Sequence, residues 1–88
     1  MASSVVMYSS EPCPYCVRAK QLLDRKGVNF EEVRIDLHPE RRVEMEQRSR
    51  RRTVPQIFVG DHHVGGCDDI YALERAGQLD GLLSLARA

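Results

Sequence analysis

The sequence predicts an α/β fold in one domain spanning 1–88, with element order β-α-β-α-β-β-α and a C-terminal helix. Three observations carry that reading. Val5-Val6-Met7-Tyr8 is a continuous apolar run, the pattern of a strand buried on both faces of a parallel sheet. From Tyr15 to Lys26, Cys16, Ala19, Leu22 and Leu23 recur at helical spacing, with Arg18, Lys20, Gln21, Asp24 and Arg25 on the other face. From Asn29 to Asp36 the chain turns to alternation, with Val33, Ile35 and Leu37 set against charges. Strand, helix and strand in succession make a βαβ unit with parallel strands and a right-handed crossover.

The remaining elements follow from local signals. Ser9 to Pro12 form the loop that leaves the first strand. Gly27 ends the first helix as the residue past its cap. Pro39 suits the first position of a second helix and Glu40 its first turn, and the helix runs to about Ser49. Its apolar face is thin, consisting of Val43 and Met45. Arg48, Arg50, Arg51 and Arg52 read either as a solvated helix end that complements the dipole or as an anion-binding edge. A strand starts at or after Pro55, because proline cannot donate to a sheet ladder, and covers Gln56-Ile57-Phe58-Val59. Gly60-Asp61 is a tight-turn pair that returns the chain through His62-His63-Val64 as a hairpin strand. The two histidines point to opposite sides and read as surface residues. Gly65-Gly66 permits positive φ or a close backbone approach. Cys67-Asp68-Asp69 opens a third helix with an Asp as N-cap; Ile70 and Leu73 face inward and Gly77 ends it. Leu79, Leu82, Leu83 and Ala86 form the inward stripe of the terminal helix.

Bulk properties narrow the function classes. Thirteen basic residues balance thirteen acidic ones, so global charge gives no nucleic-acid or membrane footprint, and neither partner is expected. Three cysteines is an odd count, unlike the even, denser set of a secreted disulfide scaffold. Met1-Ala2-Ser3-Ser4 lacks the basic start and apolar core of a signal peptide, and no apolar run reaches the ~20 residues of a membrane span. A cytoplasmic monomer is the expectation.

Cys13-Pro14-Tyr15-Cys16 follows the first strand, at the end of the sheet where open α/β folds place their sites. Cysteines three apart on a first helical turn face the same way, with Cβ atoms about 5–6 Å apart. A disulfide needs about 4 Å, so a small adjustment closes or reopens it. Pro14 costs no hydrogen bond in the first turn. Cys13 lies at the helix N-terminus, where free amides and the dipole favour a thiolate. Cys16, a turn further in, is more shielded. A structural disulfide or half of a zinc site fits the spacing too; the βαβ context favours redox chemistry.

Together with Thr53-Val54-Pro55 and Gly65-Gly66-Cys67-Asp68-Asp69, the Cys13–Cys16 motif makes this chain resemble a dithiol glutaredoxin. Pro55-Gln56-Ile57-Phe58-Val59 and Asp69-Ile70-Tyr71-Ala72-Leu73 resemble the small bacterial glutaredoxin 3 type. The resemblance spans essentially the whole chain. It implies a thioredoxin fold with a four-stranded mixed sheet, a cis Pro55, and Cys13 and Cys16 as the catalytic pair. It implies that glutathione is the reductant and that glutathionylated or disulfide-bonded proteins are the substrates. Thr53, Val54, Pro55 and Gly66 would border glutathione, with the Val54 backbone facing Cys13 and pairing with it. Cys67 and Asp68 would meet its γ-glutamyl end through helix amides, with Asp68 or Asp69 on the ammonium. Tyr15 and either Arg51 or Arg52 would border the glycyl carboxylate. Two positions depart from the pattern. Many glutaredoxins carry a lysine where this chain has Ser10, and Pro12 is unusual just before the motif. The Arg50–Arg52 group is the candidate replacement for that lysine's charge.

Two other readings compete. Cys13, Cys16, Cys67 and a histidine number four potential metal ligands, but no second close pair accompanies the first, and no metal is expected. The glutaredoxins best known for holding a cluster carry glycine where Pro14 stands. Glutaredoxin-like proteins reduced by thioredoxin reductase share the fold; Gly65–Asp69 and the nearby arginines favour glutathione instead.

Overall fold

The computed structural model describes residues 4–87 and side chains up to position 84. Met1-Ala2-Ser3, read for a leader, and the Ala86 side chain lie outside the described residues. The elements are β1 (Val5–Ser9), α1 (Pro14–Arg25), β2 (Phe30–Arg34), α2 (Pro39–Ser49), β3 (Gln56–Val59), β4 (His62–Gly65), α3 (Cys67–Arg75) and α4 (Leu79–Arg87). The strands form one mixed sheet in the order β2-β1-β3-β4. β1 runs parallel to β2, from Val5 opposite Phe30 to Ser9 opposite Arg34. It runs antiparallel to β3, from Val5 opposite Val59 to Tyr8 opposite Gln56, and β4 returns antiparallel to β3.

Strand alternation sorts the core into two layers. Val5, Met7, Ile57 and Val59 pack with Ala19, Leu22 and Leu23 of α1, Ile70 of α3, and Leu79 and Leu83 of α4. Tyr8 and Phe58 point the other way and meet Val33, Ile35 and Met45 of the α2 side. All four expected inward residues of α1 are buried, and Gly27 follows at φ +68°. Ser9, expected in the loop, extends β1; its buried hydroxyl donates to Glu32 at 2.7 Å.

Two apolar expectations are corrected. Leu37 is 63% exposed, because β2 ends at Arg34 and the chain turns, closed by the His38 amide on the Arg34 carbonyl at 3.0 Å. Ile35 stays buried because its amide still reaches the Ser9 carbonyl at 2.8 Å. Val43 is 58% exposed. It stands two residues from the fully buried Met45, and helix positions two apart do not share a face.

A polar network supplements the thin apolar face of α2. The Tyr8 hydroxyl donates to Glu44 and accepts from Arg48 Nη1 at 3.0 Å. The Arg48 guanidinium lies 4.1 Å above the Phe58 ring and donates to the Gly60 carbonyl at 3.2 Å. Arg48 thus belongs to the packing of α2, while Arg50 is its left-handed C-cap at φ 59°.

Candidate active site

Cys13 is the N-cap of α1, in extended conformation, and Pro14 opens the helix. The Cys13 sulfur accepts the Cys16 amide at 3.2 Å, satisfying one of the unpaired amides of the first turn. It is half-buried, and the Val54 carbonyl oxygen lies 4.0 Å away. Cys16 is only 4% exposed. Burial, seconded by its hydrogen bond with Cys13, pushes the Cys16 thiol up to about 12. The two sulfurs therefore differ in access, and Cys16 is held as a neutral thiol near neutral pH.

Beside Cys13 opens a groove of about 360 Å³, lined by Tyr15, Arg51, Thr53, Val54, Pro55, Gln56, Gly66, Cys67, Asp68 and Asp69. Its floor is the segment before β3, with the Val54–Pro55 bond cis; Glu11–Pro12 is cis as well. Its far wall is the start of α3. The N-cap there is Gly66, a correction to the expected Asp. Asp69 stands at the third helical position, and its carboxylate reaches back to the Gly66 amide at 2.8 Å. The preceding turn explains the Gly-Gly pair. Gly65 has φ +123°, and a Cβ there would come within 2.4 Å of Asp69 Oδ2; one on Gly66 would meet the Pro55 carbonyl at 3.1 Å. Both readings of the pair, positive φ and close approach, hold at once.

One ion pair crosses the groove. Arg51 Nη1 donates to Asp69 Oδ2 at 2.8 Å, bridging the segment before β3 to α3. The Gly66 amide first, then Arg51, holds the Asp69 carboxyl below its usual range. Arg52 is apart from this. Its side chain is 87% exposed and approaches Glu46 at 3.7 Å, and it does not line the groove. Cys67 is buried at the first position of α3; burial pushes its thiol up, against the pull of Arg18.

A sequence profile of the glutaredoxin family matches residues 5–64. The chain belongs to the glutaredoxin family. It is 60% identical over 80 residues to a glutaredoxin of Pseudomonas aeruginosa, covering 91% of this chain and 95% of the relative. Glutaredoxin 3 of Escherichia coli K12 is 56% identical over 81 residues, covering 92% and 98%. Among solved structures, the Brucella melitensis glutaredoxin matches with a TM-score of 0.83 at 55% identity, covering 96% of this chain and 91% of that one. A buckwheat glutaredoxin in complex with glutathione matches with a TM-score of 0.88 at 31% identity, covering 98% and 81%. The fold is thus the thioredoxin-like fold of glutaredoxins, and the activity is glutathione-dependent thiol–disulfide exchange.

Two features of this glutaredoxin escaped the sequence. Gln56 lines the groove although it reads as an ordinary strand residue; its signal is a polar side chain at the head of a fully buried run. His63 is half-buried, tilted against Phe58 with ring centroids 4.9 Å apart, and its Nε2 lies 2.7 Å from Gln56 Oε1. It is therefore not the surface residue expected; of the adjacent pair, His62 is the exposed one. Cys13 itself lines a second, larger pocket of about 650 Å³, together with Glu11, Pro12, Pro14, Val17, Arg34 and Asp36. Among the described residues, no group of three or more His, Cys, Asp or Glu side chains is placed to hold a metal ion.

Proposed function

We propose that Cys13 is the nucleophile and Cys16 the resolving thiol of a reaction whose glutathione moiety lies in the Tyr15–Asp69 groove. The observation that carries this is the contrast between the sulfurs. Cys13 is half-buried, receives a helix amide and lies 4.0 Å from the carbonyl of the groove residue Val54, whereas Cys16 is buried and protonated. The Cys13 thiolate attacks the glutathione sulfur of a protein–glutathione disulfide. That S–S bond breaks, and the protein thiolate leaves and takes a proton. A second glutathione thiolate attacks the Cys13-bound glutathione, releasing glutathione disulfide and restoring Cys13. On a protein disulfide, Cys13 forms a mixed disulfide with the protein. Cys16 then gives up its proton and attacks the Cys13 sulfur, which frees the protein thiol and leaves Cys13–Cys16 oxidised for two glutathiones to reduce.

In the groove, the Val54 backbone pairs with glutathione as a short added strand. The amides of Cys67 and Asp68, at a helix N-terminus, suit the γ-glutamyl carboxylate. Asp69 is committed to Gly66 and Arg51, so Asp68 is our choice for the ammonium. Arg51, in the groove with Tyr15, keeps Nη1 on Asp69 and takes the glycyl carboxylate through the rest of its guanidinium; Arg52, which approaches Glu46 and does not line the groove, has no part in it. With glutathione in the groove, the protein half of the disulfide has the Glu11–Asp36 pocket that Cys13 itself lines. We propose a monomer acting in the cytoplasm, where reduced glutathione keeps such a dithiol cycling, with no metal required.

A coupled assay tests the reductant. Turnover of a glutathionylated peptide should follow NADPH oxidation through glutathione and glutathione reductase. Efficient turnover with thioredoxin reductase and none with glutathione would overturn the assignment.

A further inference from the structure

We infer that Gln56, seated by His63, is a positioning residue for the glutathione groove: it fixes the Thr53–Val54 peptide so that the Val54 N–H faces the ligand. The inference rests on the reading of that groove as the glutathione site.

Gln56 is fully buried, and both ends of its amide are hydrogen-bonded. Nε2 donates to the Thr53 carbonyl at 2.9 Å and to the Thr53 hydroxyl at 3.2 Å, and Oε1 faces His63 Nε2 at 2.7 Å. The orientations are set by chemistry. A carbonyl only accepts, so the NH₂ end of Gln56 must face Thr53, and the oxygen must face His63. His63 must then carry its proton on Nε2 and donate it to Oε1. The ring is held in turn by its tilted contact with Phe58. The relay runs from β4 through the head of β3 to the segment before the cis proline.

Its consequence lies in the next peptide. The Thr53–Val54 bond is trans and planar, so the Thr53 carbonyl and the Val54 N–H point in opposite directions. With the carbonyl drawn back onto Gln56, the Val54 N–H is turned outward. Val54 precedes proline and so favours extended conformation, in which a residue's N–H and C=O project to the same side. Its carbonyl is already 4.0 Å from the Cys13 sulfur, consistent with that direction. Pro55 has no N–H, so Val54 is the donor this segment can offer beside Cys13. A Gln56 amide free to rotate would release the plane and, with it, half of the added-strand pairing.

Gln56→Glu tests this with almost no change of shape. A carboxylate keeps the acceptor for His63 but has no donor for Thr53. KM for a glutathionylated peptide should rise about tenfold with kcat within about twofold, as for a lost binding hydrogen bond plus repulsion. The iodoacetamide alkylation rate of Cys13 should not change. An unchanged KM overturns the inference. So does a rise in KM matched by equal losses in alkylation rate and melting temperature, which would make Gln56 structural only. If Gln56→Glu does not fold, His63→Leu and His63→Gln decide. The Leu variant should raise KM about threefold, and the Gln variant, which keeps an N–H donor, should restore it; equal KM values for the two overturn the inference. Arg51→Ala run alongside separates the layers. If it raises KM while Gln56→Glu does not, the groove reading stands and the positioning role fails. If neither raises KM, the groove reading itself fails.

Discussion

Replacing Cys13 with Ser isolates the second thiol and makes its burial measurable. Cys16 rises from an ordinary 9.0 to about 12, and burial, the larger cause, survives the substitution. That rise cuts the thiolate fraction near neutral pH by about 10³. A thiolate of higher pKa is also the better nucleophile, which returns about 10–30-fold. The Cys13 share of the rise is lost in the variant, so alkylation of Cys16 by iodoacetamide at pH 8 should be about 10–30-fold slower in the folded Cys13→Ser variant than in the same variant in urea. Steric shielding of a side chain only 4% exposed adds to that. Peptide mapping by mass spectrometry distinguishes Cys16 from Cys67. A folded rate within about threefold of the unfolded one would refute the reasoning, since the buried neutral thiol underlies the division of labour. The same rise has a stability sign. The folded state favours the protonated thiol, so the contribution is fully present below pH 9.0 and fades as pH climbs towards about 12.

Activity should divide the pair: Cys13→Ser abolishes removal of glutathione and reduction of protein disulfides alike, while Cys16→Ser keeps the first and impairs the second. A Cys13→Ser variant active in the coupled assay would end the assignment. Arg51→Ala should raise KM for a glutathionylated peptide several-fold, by the ~1 kcal/mol of a charged contact at a half-exposed site, and make turnover less salt-sensitive. Arg52→Ala should leave both within about twofold, because an exposed charge away from the ligand contributes little; the reverse pattern would exchange their roles. Cys67→Ser should retain most deglutathionylation activity, its thiol being buried at the start of α3; near-complete loss in a folded variant would give that sulfur a role in the chemistry.

What the sequence disclosed depends on how local each feature is. The α1 stripe, the stop at Gly27, Pro39 at the start of α2 and the strand after Pro55 are all written within a few residues, and each is where it was expected. The groove was nearly complete as well: eight of its ten lining residues lie in the three motifs, and Arg51 was named beside them. The failures are non-local. Leu37 was counted into an alternation that the β2 turn cuts short. Adjacent Arg51 and Arg52 are chemically alike, and only the path of the chain after α2 sends one to Asp69 and the other to Glu46. Gln56 and His63 gain their meaning from the β3–β4 hairpin, seven residues apart in sequence but bonded in space.

The site is gathered from residues 13–16, 51–56 and 66–69, and two of those segments meet the first only because β3 lies antiparallel beside β1. A chain folded only as far as its first βαβ unit would own both thiols and no ligand groove. It could be oxidised or alkylated indiscriminately without yet recognising glutathione. Closure of the central strand pair is therefore the event that turns a reactive peptide into a selective one. During refolding, glutathione-specific turnover should recover with the β1–β3 pairing, whereas bare thiol reactivity needs no such closure.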